Sequence, residues 1–271
     1  MRSFALSLTK SFAVFVTIAI FVTVAVAGLA PAALDVGKDT QASLAASEDL
    51  ANPSDKAPKC AAPGTPPRLR PVPSVAYGRS YDEWSQDWWR WAYSIPTGIN
   101  PILDETGDSC AYGQDGPVWF LAGNIGGPTT RSCSIGCNKA IFLPIINCEW
   151  ENGWEGAPIL SISELRAICA YGGTPTTATL EVDGRALDVL KNRVASGIFD
   201  YSMGPDNLGG QLPGVYFPAI SDGIWAMLDP LPPGPHTVHF TATTSVGFAL
   251  DVTYLLDVVG LELPCTSPSC P

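Results

Sequence analysis

The last apolar segment of the chain alternates strictly: Phe248, Leu250, Val252, Tyr254, Leu256 and Val258 are separated by a mixed set of residues. Alternation of this kind predicts a strand with one buried face over Val246 to Val259. His236 to Thr243, just upstream, supplies a strand to pair with it. Thr177 to Val182 and Arg185 to Leu190 flank Asp183-Gly184, a dipeptide that accepts the positive φ angles of a two-residue hairpin turn. Pro117 to Ala122 and Lys139 to Ile146 are short apolar runs bounded by Gly, Pro and Asn, the pattern of buried strands.

Two segments carry a helical period instead. Tyr81, Trp84, Trp88, Trp91 and Ile95 fall on one face; Ser80 and Glu83 have capping-box spacing ahead of them and Pro96 stops the run. Such a stripe faces inward, so Trp84, Trp88 and Trp91 are expected in the core. Trp89 lies off its centre and is the candidate for exposure, where an indole can stack on a sugar ring or meet a partner. The second helix is expected at Ile162 to Tyr171, capped by Ser161 with Glu164 and ended by Gly172-Gly173. Many short strands and few helices, in a chain with 26 Gly and 25 Pro, predict a mainly β fold. The expected architecture is an antiparallel β-sandwich or jelly roll with a Trp-rich amphipathic helix and a short second helix.

The first residues change the picture from a fold to an exported fold. Arg2 and Lys10 precede the apolar run Phe12 to Ala27, which closes on Ala25-Val26-Ala27. That is the layout of a secretory signal, with cleavage before Gly28; a retained membrane anchor is the alternative for this run. Residues 28–73 are rich in Ala, Pro, Ser, Asp and Lys, and predict a flexible or extended tether. Residues 74–271 remain as a single domain. Removing residues 1–27 deletes two positive charges and no negative one, taking the formal net charge from −11 to −13. An acidic mature chain argues against nucleic-acid and anionic-lipid partners.

Eight cysteines in an exported chain predict a disulfide framework. Cys265 and Cys270 enclose a turn-prone Thr-Ser-Pro-Ser, and Cys110 and Cys133 flank the 117–122 strand and its glycine-rich turn. Cys148 with Cys169 and Cys60 with Cys137 complete the expected set. The rival use, a metal site on Cys133, Cys137 and Cys148, lacks a nearby histidine and needs thiolates in an oxidising compartment, so no metal is expected.

The remaining chemistry is sparse. His236 and His239 are three apart, which on a strand sends them to opposite faces and prevents joint chelation. No nucleophile elbow accompanies them. Asp82, Glu83, Asp87, Glu149, Glu151 and Asp222 are the carboxylates from which an acid pair for glycoside cleavage could be drawn. Glu83 already has a capping use, and Asp222-Gly223 reads as a turn.

Four strings, YGRSYDEWSQDWWRWAYSIP at 77–96, NPILDETGDSCAYGQDGPVWFLAG at 100–123, KAIFLPIIN at 139–147 and SDGIWAMLDPLPPGPHTVHF at 221–240, resemble a group of uncharacterised exported bacterial proteins. The likeness covers nearly the whole domain. It implies export and brings no activity, cofactor or catalytic residue with it. Cys137 stands where the resemblance implies a small residue or proline, which points to a locally acquired disulfide. Two classes of function follow: a non-catalytic binding or surface-interaction module, with polysaccharide or another cell-surface component as ligand, and a carbohydrate-active enzyme built on a carboxylate pair. An accessible shallow surface favours the first, and a deep cleft holding acids with raised pKa the second.

Overall fold

The computed structural model describes residues 58–154 and 156–260, so the expected signal segment, residues 28–57 of the tether and the Cys265–Cys270 bridge lie outside the described residues. Two five-stranded sheets pack face to face as a β-sandwich. The first runs β1 (Val118–Phe120), β3 (Ala140–Glu151), β8 (Gly214–Leu228), β6 (Arg193–Ala195), with β7 (Phe199–Met203) also paired to β8. The second runs β2 (Gly127–Gly136), β10 (Ala249–Val259), β9 (Gly234–Thr244), β4 (Pro175–Val182), β5 (Arg185–Ala186). The Asp183-Gly184 turn forms as expected, both residues having positive φ.

Pairing is mixed where antiparallel ladders were expected throughout. β1 lies parallel to β3, and β2 parallel to β10. Between β1 and β3 the chain crosses to the other sheet and lays down β2, and that excursion lets two strands close in sequence run the same way.

Ile141, Leu143, Ile224, Ala226 and Leu228 of the first sheet meet Leu180, Val238, Phe240, Val252 and Leu256 of the second in the main core. The other face of the first sheet is covered by α1 (Tyr81–Ser94), where Trp84, Trp88 and Trp91 pack with Phe142, Trp225 and Met227. Glu83 reaches back to the Ser80 N–H at 2.8 Å, completing the expected start of α1. α2 (Ile162–Gly172) lies on the face away from α1, its Leu165 and Cys169 packing on Ile220. Arg131, fully buried, gives its guanidinium to the carbonyls of Ile102, Asp104, Ala122 and Gly123 and to the Tyr254 hydroxyl, binding two loops to β2.

The Cys60–Cys137 and Cys110–Cys133 disulfides are both present. The first pins Cys60 of the expected tether to β2 and its following turn at Cys137. Residues 58–73 are anchored, with the Arg70 N–H donating to the Met227 carbonyl, the Asp229 N–H to the Arg68 carbonyl, and the Arg70 side chain paired with Asp229. Composition alone weighs none of these point contacts. Cys148 and Cys169 face each other with sulfurs 3.2 Å apart but are thiols, so the expected bridge is positioned and not closed.

Candidate functional site

Two places concentrate polar chemistry, one buried and one open. The buried place is made by a slip in β3. Phe142 faces α1 and Leu143 the second sheet, but the register with β8 breaks between Pro144 and Ile146. A single extra residue inverts every later side chain, so Ile146 joins the inter-sheet core and Asn147, Glu149 and Glu151 turn toward α1. The Tyr93 hydroxyl of α1 donates to Glu149 Oε2 at 2.9 Å. Trp89 stacks on Tyr93 (5.4 Å between ring centroids), Tyr93 on Tyr201 of β7 (4.2 Å) and Tyr201 on Tyr216 of β8 (5.7 Å), walling the two carboxyls with aromatic rings. Glu149 and Glu151 are each only 8% exposed. Burial raises the pKa of Glu149 well above the ordinary carboxylate range, and the charge of Glu151 pushes it further. Burial also raises Glu151.

The other candidate acids are accounted for by local structure. Asp82 accepts from the Ser80 hydroxyl, Glu83 caps α1, and Asp87 pairs with Arg79 (3.0 Å) and Arg90 (3.1 Å). Asp222 pairs with Arg193 at 2.8 Å on the α2 side of the sheet. Asp222-Gly223, expected as a turn, instead lies in the middle of β8. A Cβ on Gly223 would sit 2.3 Å from the Ile146 carbonyl oxygen, so glycine is there because β8 passes close to β3. The histidines take opposite faces of β9 as expected, His236 against Asp183 (2.7 Å) and His239 against Asp251 (2.9 Å). Cys133 and Cys137, considered above as metal ligands with Cys148, are spent in disulfides.

Trp89 corrects the expectation of exposure. It is 9% exposed and its indole N–H donates to Ser221 Oγ at 3.0 Å. Helical spacing places Trp89 at the edge of the stripe, but β8 wraps that edge with Ser221. All four indoles of α1 are anchored in this way, Trp84 to the Ala76 carbonyl, Trp88 to Leu121 and Trp91 to Tyr112.

The open place is a groove of about 500 Å³ at one end of the second sheet, lined by Ser132, Ser134, Asp183, Thr237, Leu255 and Asp257. It continues a solvent-facing surface with a regular composition. Thr179, Thr241 and Asp251 stand side by side across three strands, and Glu181, His239, Thr253 and Thr130 make the next row. Threonine hydroxyls of β4 and β9 bond to one another at 2.6–2.7 Å. The signal for this surface lies in the polar positions of β10 that alternate with its buried ones, Asp251, Thr253 and Asp257. Comparison with protein-family models, with curated proteins and with solved structures finds no match.

Proposed function

We propose that this chain is an exported, non-catalytic binding module whose ligand face is the outer surface of the second sheet, with polysaccharide as the ligand class. The reading is carried by the groove and the rows that lead into it. Hydroxyls at Ser132, Ser134 and Thr237 and carboxylates at Asp183 and Asp257 surround the half-exposed Leu255. A sugar offers the same mixture, hydroxyls that both donate and accept on an apolar ring face, and an extended chain of sugars fits a surface four strands wide. Export is supported by the signal layout of residues 1–27, by two disulfides, and by the absence of a membrane-crossing helix among the described residues. Membership of the exported bacterial group with these motifs belongs to the same proposal.

A second reading, catalysis by Glu149 and Glu151, is favoured by their raised pKa and opposed by their cover of aromatic rings. Retention of the protein on a panel of insoluble glycans, scored together with release of soluble sugar, separates the two. The proposal expects retention without release, weakened about tenfold or more by Thr237→Val with Asp257→Ala, a loss of about 1.4 kcal/mol or more in binding. Sugar release that disappears in Glu149→Gln would replace it with the enzyme.

A further inference from the structure

Glu149 and Glu151 sit two apart on one strand, on one face, beneath the end of α1. Within the described residues, nothing cationic faces them. The groups acting on them are Tyr93 from α1, Tyr201 from β7, Tyr216 from β8, and Cys148 beside Glu149 on β3, with Cys169 of α2 beyond it. Arg90, on the same helix, is engaged by Asp87 and Asp200. Two buried carboxylates without a counter-charge cannot both stay ionised.

The hydrogen-bond inventory points to what neutralises them. Glu149 Oε1 and Glu151 Oε1 are both buried acceptors without a donor, while Asn147 Nδ2 on the same side of β3 and the Tyr201 hydroxyl, on a side chain 2% exposed, are buried donors without an acceptor. Each of these donors can meet a carboxyl oxygen, but neither carries charge, so the two carboxyls still lack a counter-charge; a proton on one of them removes the second negative charge and gives the other a donor.

We propose that Glu149 and Glu151 share a single proton and so form a pH-sensitive latch that holds the C-terminal end of α1 and strand β7 against β3. The proton resides on one carboxyl oxygen and is hydrogen-bonded to the other; base removes it to solvent and leaves two like charges facing each other. Tyr93 and Tyr201 contact the pair from the two elements that would then loosen. Because a carboxyl with a raised folded-state pKa stabilises the fold when protonated, the latch holds at low pH and weakens as pH rises through that raised value.

The test is thermal unfolding of the intact exported protein from pH 5 to pH 9, with Glu149→Gln and Glu151→Gln as variants. The wild type is expected to lose about 3 °C or more of midpoint toward alkaline pH, a loss that either amide removes. Protection from hydrogen exchange in residues 88–95 and 199–203, with the intrinsic base-catalysed rise divided out, is expected to fall over the same range in the wild type alone. Should neither variant fold, infrared difference spectra of the wild type decide: a protonated-carboxyl carbonyl band that persists at neutral pH and bleaches toward alkaline pH is expected. No such band, a pH dependence identical in foldable variants, or a midpoint raised by calcium chloride and lowered by EDTA would overturn the shared proton.

Discussion

The two outer layers of this molecule use polar groups in opposite ways. Over the first sheet, α1 presses aromatic rings onto β3 and β8; some of the polar atoms enclosed there find a single partner, as Trp89 finds Ser221, and others, the oxygens of Glu149 and Glu151 among them, find none, and we propose that those two acids share a proton. Over the second sheet nothing lies on top among the described residues, and hydroxyls and carboxylates at alternate positions stay in contact with solvent. Acids under a hydrophobic lid acquire raised pKa without becoming accessible, so a perturbed carboxylate alone does not locate a ligand site. Polar groups that already meet water can exchange it for a ligand at little cost in fold stability.

The comparison breaks most visibly if the aromatic layer is cut. Trp88→Ala is expected to cost about 3–5 kcal/mol in urea unfolding, and Trp89→Ala to fall in the same range, because both indoles are buried. A Trp89→Ala variant of unchanged stability would mean that the layer is open at its edge. Replacing Cys110 and Cys133 by Ala together is expected to remove about 3 kcal/mol, the value for a loop of this length, and to free the loop that lies along β2. Non-reducing peptide mapping of exported material is expected to show Cys148 joined to Cys169 as well, since the two sulfurs already touch. Gly223→Ala forces a methyl group against the Ile146 carbonyl and is expected to cost about 1–3 kcal/mol. At the other end of the scale, Thr237→Val with Asp257→Ala is expected to change stability by no more than about 0.5 kcal/mol, since both positions lie on the solvent-facing surface.

Legibility in the sequence followed the number of buried faces. β10 buries one face and shows it as alternation; α1 buries a stripe and shows it as a helical period; both capping boxes were readable. β8 is buried on both faces from Ala219 to Leu228, so no alternation marks it, and its Asp222-Gly223 has the composition of a turn. β2, with Gly, Ser and Thr at most of its positions, carries no apolar alternation that would mark it as a strand. Glu149 and Glu151 were visible as candidates, but their facing depends on the slip after Pro144, which no local pattern announces. The helical period of α1 puts Trp89 at the edge of the stripe but does not say how far β8 wraps that edge. The groove has no linear signature because its members, Ser132, Asp183, Thr237 and Asp257, come from three strands and a turn.

The claim that binding belongs to the open sheet and not to the aromatic layer is tested most directly by hydrogen exchange of the protein with and without a retained glycan. The account predicts slowed exchange in residues 132–134, 235–239 and 253–257 and no change in 88–95 or 147–151. Slowed exchange confined to 88–95 and 147–151 would contradict it and move the ligand to the acids beneath the tryptophan helix.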